Sequence, residues 1–166
     1  MTLSDLASLG SFVSGVAVAI TLIFLVMQMR QNTLAVRATA SQSFSALYQG
    51  ISNIVVVDSE MARIWRLGLT NAGELTDDER VRFIAYVSTI FRFMESARLQ
   101  WRHGQLDDQH WYELETEIKD FSVQPGVKEY WALRRHWHAE EFRSWFESLP
   151  RTEAVSALYG KSAKTP

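Results

Sequence analysis

Apolar and polar positions recur with helical spacing along most of the chain, except in one stretch where charged positions vanish. Residues 6–29 carry no charged side chain and are bracketed by Asp5 and Arg30. A helix needs about 20 predominantly apolar residues to cross a hydrocarbon core of ~30 Å, and this stretch is long enough. The competing assignment, a core helix of a soluble protein, is weaker, because such helices seldom run this far without a charge. A cleaved signal peptide fits no better: its apolar region spans about 7–15 residues behind a basic segment, and no Lys or Arg precedes this run. Ala38-Thr39-Ala40 imitates a cleavage site, but Arg30, Gln31, Asn32 and Arg37 separate it from the apolar run. The expectation is an uncleaved transmembrane anchor over residues 1–30.

Beyond the anchor the pattern becomes amphipathic. Residues 31–57 contain no proline and only Gly50, so the helix is expected to continue as a connecting segment. Its apolar stripe is Leu34, Phe44, Leu47, Ile51 and Ile54. Asp58 reads as the N-cap of a helix through Leu69, with Met61, Ile64 and Trp65 inward. Gly68 and residues 70–73 are expected to end it. Thr76-Asp77-Asp78-Glu79 has the spacing of a capping box, with the extra acids suited to the positive end of a helix dipole. It opens a long helix to about His103, stopped by Gly104. This helix is apolar on two faces: Ile84, Val87, Phe91, Met94 and Trp101 on one, Tyr86, Ile90, Phe93 and Ala97 beside it. It should therefore be the centre of a bundle.

Asp107 or Asp108 then caps a helix with the inward row Trp111, Leu114, Ile118 and Phe121. Its outer side is acidic, with Glu113, Glu115, Glu117 and Asp120. After Pro125-Gly126 a basic helix over residues 127–137, with Lys128, Arg134 and Arg135, is expected to bury Tyr130, Leu133 and Trp137. The acidic and basic helices should pair and set the docking of the bundle. A short last helix carries Phe142, Trp145, Phe146 and Leu149 before Pro150. Residues 151–166 have little to bury and read as a flexible tail. The fold class is all-α: a transmembrane helix continuing into a cytoplasmic helical bundle over residues 31–150.

Charge adds direction. Arg30 and Arg37 follow the apolar run while only Asp5 precedes it, so the positive-inside bias puts the N-terminus outside and the C-terminal domain in the cytoplasm. The absence of cysteine fits that compartment. A net charge of -2 and all six tryptophans beyond the anchor describe a packed aromatic domain with no electrostatic pull toward nucleic acid. Within the anchor, Ser11, Gly15 and Ala19 recur at spacing four, a small-residue face that would let a second helix approach closely. Thr21 and Gln28 add polar groups to the run and need no functional explanation.

The segments TLIFLVMQMRQNT, DSEMARIW and LTDDERVRF, followed by WRHGQLDDQHW, PGVKEYWALRR and EEFRSW, resemble a functionally uncharacterised family of small bacterial single-pass membrane proteins with a cytoplasmic helical domain. The resemblance covers most of the chain. It implies a bacterial source and an inner-membrane address, and it brings no catalytic residues with it.

Motifs with chemistry are sparse. A di-iron bundle wants Glu-x-x-His, and none of His103, His110, His136 or His138 has a Glu three residues before it. His136 and His138 point apart on a helix and lie beside Arg134 and Arg135, so a solvated basic helix end is expected there. There is no cysteine nucleophile and no Gly-x-Ser-x-Gly elbow. Gly160-Lys161-Ser162 mimics the end of a phosphate loop, yet Val155 stands where that loop needs glycine. Glu95, inside the most apolar helix, is expected to pair with Arg92 and Arg98 three positions either side. No catalytic, cofactor or metal residue is assigned. The leading expectation is a non-enzymatic, membrane-anchored interaction or scaffold module that meets lipid and either a protein partner or its own copies. A small oligomeric channel or an accessory subunit of a transporter is the alternative, and an enzyme with an aromatic pocket is third. A concave pocket with convergent polar groups would separate these classes from a closed bundle.

Overall fold

The computed structural model describes residues 3–150, which are all-α; the tail expected over residues 151–166 lies outside them. The chain divides into two units, Met1–Ala40 and Ser41–Pro166. Helix α1 runs unbroken over Leu3–Val57, as a proline-free stretch allows. In the first unit its residues 10–36 are all exposed, Phe24 at 61%. Hydroxyls in and just after the apolar run turn back on their own helix: Thr21 donates to the Ala17 carbonyl at 2.8 Å, and Thr33, past Arg30, to that of Met29 at 2.9 Å. By length and composition this one helix among the described residues could cross a membrane.

The second unit is built from the last part of α1 with α2 (Ser59–Asn71), α3 (Asp77–Arg102), α4 (Asp108–Ser122), α5 (Pro125–Arg134) and α6 (Glu140–Ser148). Short 3₁₀ turns over Ala72–Glu74 and Arg135–Trp137 complete it. Side chains start three of the helices. The Asp58 carboxylate accepts from the amides of Glu60 and Met61, and Asp107, not Asp108, accepts from that of His110. Thr76 and Glu79 close the expected capping box. Accepting the Thr76 amide holds the Glu79 carboxyl below its ordinary range, and the His110 amide does the same for Asp107. Gly104, at φ 67°, turns the chain out of α3.

Helix α3 is the centre, packed against α2, α4 and α5. Phe91 lies parallel to the rings of Tyr130 and Trp131 and meets the edge of Phe146. Helices α2 and α5 come close enough at a glycine pair that a Cβ on Gly126 would overlap the backbone of Gly68, and one on Gly68 would overlap the Phe83 ring. Gly68 is thus an interior packing residue of α2 and not part of its stop.

Three other expectations change. In the second unit the buried or half-buried residues of α1 include Phe44, Ile51 and Val55, while Leu47 and Ile54 face outward. The α5 segment buries Val127, Tyr130 and Trp131; Leu133, still within the helix, is 54% exposed on its outer side, and Trp137, carried off the helical register by the 3₁₀ turn, is 45% exposed. The acidic and basic helices do not pair: Glu115 holds Lys119, Tyr48 holds Glu117, and Arg135 reaches Glu147 in α6.

Candidate binding trough

The distal part of α1 stands over α3 and α4 on aromatic side chains spaced along one face. Phe44 lies against Phe93, centroids 4.9 Å apart. One turn on, the Tyr48 hydroxyl donates to both carboxylate oxygens of Glu117, at 3.1 and 3.2 Å. Tyr86 on α3 donates to the Ile51 carbonyl at 2.7 Å, and burial pushes its phenol up from the ordinary value. Between these supports the helices do not close.

Two cavities occupy the gap. One, of about 290 Å³, is walled by Ile51, Val55, Trp65, Tyr86, Phe93 and Phe121. Trp65 shapes its floor, parallel to Phe121 at 5.7 Å and edge-on to Tyr86 at 4.9 Å. The other, of about 410 Å³, includes Phe44, Gln49, His110 and Glu113. Tyr48, Leu114 and Glu117 line both, so the Tyr48–Glu117 bond sits where the cavities meet and makes them one trough. Its electrostatics are one-sided. Glu113, Glu117 and Asp120 fall at i, i+4 and i+7 of α4, one helical face, and all line the trough. Among the described lining residues there is no Lys or Arg, and the His110 imidazole is held by Asp107.

A second polar assembly lies on the other side of α3. Glu95 uses both oxygens: one accepts from His138 Nδ1 at 3.0 Å, the other from the Ala139 amide at 2.9 Å. The second imidazole nitrogen of His138 faces the Tyr130 hydroxyl at 3.5 Å. With Nδ1–H donating to Glu95, the other ring nitrogen is placed against the Tyr130 hydroxyl. His138 is only 4% exposed and lies parallel to Trp131, so it clasps the turn before α6, while Glu95 also borders an open cavity of about 360 Å³ with Arg92, Arg98 and Arg102. The expectation of a solvated histidine there is corrected. Of the expected Glu95 pairs, Arg92 stands at 3.5 Å, but Arg98 turns to Glu141 at 3.9 Å and lies over the Trp145 ring.

The remaining expected positions all fall on α1. Ser11, Gly15 and Ala19 are exposed, and a Cβ on Gly15 would meet nothing within 4 Å. Arg30 and Arg37 follow the apolar run on the same helix, although the Arg37 side chain lies outside the described residues. No group of three or more His, Asp or Glu suited to a metal occurs among the described residues. The trough has no motif in the sequence, since its walls come from four helices; the acidic face of α4 is its one local signal. No protein-family model, curated protein or solved structure matches this chain.

Proposed function

We propose that the chain is a single-pass, membrane-anchored, non-enzymatic helical module, held at the cytoplasmic face of a bacterial inner membrane and binding its partner in the trough. The observation that carries the reading is the exposed, charge-free apolar helix. Water does not favour such a surface and lipid does. Ten Leu, Ile, Phe and Val side chains within residues 10–29 together favour insertion by about 3–6 kcal/mol. The basic residues Arg30 and Arg37 support a cytoplasmic domain, and the family resemblance supports the bacterial address. The small face of Ser11, Gly15 and Ala19 offers a second membrane helix, including one from another copy, its closest approach.

The anchor is tested by alkaline extraction of membranes. Wild type is expected to stay with the pellet and to require detergent for release. Ile20→Arg combined with Phe24→Arg costs about 5–7 kcal/mol, enough to cancel the whole insertion gain, and should lose the membrane fraction. Wild-type protein in the soluble fraction without detergent would overturn the proposal.

A further inference from the structure

We propose that the trough takes a compact lipophilic cation, a quaternary or alkylated ammonium carrying an apolar or aromatic group. The inference rests on the trough being the module's binding site and names what that site selects. Its two ends differ in a way that matches one chemistry. The inner cavity, about 290 Å³, is walled by Trp65, Tyr86, Phe93 and Phe121. Ring faces carry negative electrostatic potential, so they attract a cation while also covering its apolar groups. The α4 wall adds Glu117 and Asp120 to this cavity and Glu113 to its neighbour.

Alternative ligands fit less well. An anion would meet these carboxylates with no Lys or Arg among the described lining residues to offset them. A neutral lipophile would gain from the rings but would leave the acidic wall without a counter-charge. A strongly hydrated small cation, such as a free ammonium or a metal ion, would have to exchange its water for rings and a sparse set of oxygens. A lipophilic cation uses both walls at once and sheds little hydration. The Tyr48 hydroxyl, now donating to Glu117, marks the carboxylate a bound cation would share.

The test uses the full chain in nanodiscs, with empty nanodiscs as the partition control, titrated by calorimetry with three probes of similar shape. These are benzyltrimethylammonium, its neutral isostere neopentylbenzene, and benzylsulfonate. The cation should bind at least about tenfold more tightly than the isostere, and the anion should not bind measurably. Glu117→Gln, at an exposed position, should weaken the cation about fivefold and leave the isostere unchanged. Tyr48→Phe keeps the ring, frees the carboxylate and should leave cation affinity equal or higher. Ser52→Phe, which fills the inner cavity, should abolish binding of every probe.

Equal binding of cation and isostere, or no effect of Glu117→Gln, would overturn the cation assignment while leaving the trough as a site. Tight binding of the anion would do the same. No binding of any probe, or binding that Ser52→Phe does not alter, would overturn the trough itself. Failure of the chain to co-elute with the nanodiscs would count against the anchor alone.

Discussion

The glycine pair between α2 and α5 gives a sharp test of the packing. In an open helix, Gly→Ala is stabilising by about 0.5–1 kcal/mol, because alanine loses less backbone freedom on folding. At Gly126 that gain is opposed by a collision. The new methyl would overlap the carbonyl group of Gly68, and it would lie 3.1 Å from the Phe83 ring. The obstructing atoms are backbone, so no rotamer change relieves the overlap and the two helices must separate. Overpacking of this kind costs about 1–3 kcal/mol, and a backbone obstacle belongs at the upper end. The net loss is about 2 kcal/mol, or about 8 °C in Tm for a domain of this size. Gly50→Ala is the control: α1 has open space there, with nothing within 4 Å of a Cβ, and the domain should hold or gain stability. Thermal unfolding of the full chain in mild detergent, followed by near-ultraviolet tryptophan dichroism, reads both. A Gly126→Ala protein melting at or above wild type would show that α2 and α5 do not meet through these glycines.

Two further outcomes follow from the polar groups. Glu95→Ala leaves the Ala139 amide and a buried His138 without their acceptor, so it should cost about 1–3 kcal/mol in chemical denaturation, whereas exposed Glu113→Ala should cost under about 0.5. Glu79 and Asp107 have carboxyl pKa values lowered in the folded state, chiefly by backbone amides of Thr76 and His110. Each therefore contributes stability that is present above its ordinary value, 4.5 and 3.8 respectively, and is lost as pH falls through the lower folded value. Denaturation midpoints measured from pH 6 down to pH 3 should fall for wild type and fall less steeply for Glu79→Gln with Asp107→Asn; parallel curves would contradict the capping argument.

Much of the bundle could be read locally. Asp58, Thr76 with Glu79, and Asp107 announce helix starts through atoms that lie within three residues of the groups they cap. The row Trp111, Leu114, Ile118 and Phe121 is buried as its spacing requires. What sequence could not disclose depends on distant partners. His138 looked solvated beside two arginines, yet its burial is set by Glu95, 43 residues away. Gly68 reads locally as a helix stop, and only the Phe83 ring of α3, which a Cβ there would overlap, shows that it is a packing position. The stripe on α1 was misplaced because Leu47 and Ile54 are as apolar as the residues that pack; the choice of face belongs to Phe93 and Tyr86 on α3. The trough has no single motif, being the space left where side chains from four helices hold α1 away.

The most direct test of the membrane-anchored arrangement uses the fact that the chain has no cysteine. Single cysteines are introduced by Ser4→Cys, before the apolar run, and by Gln105→Cys, in the exposed turn between α3 and α4. Intact spheroplasts are then treated with a membrane-impermeant maleimide, before and after permeabilisation. Labelling is expected at position 4 from outside and at position 105 only once the membrane is opened. Labelling at position 105 in intact spheroplasts would contradict this arrangement.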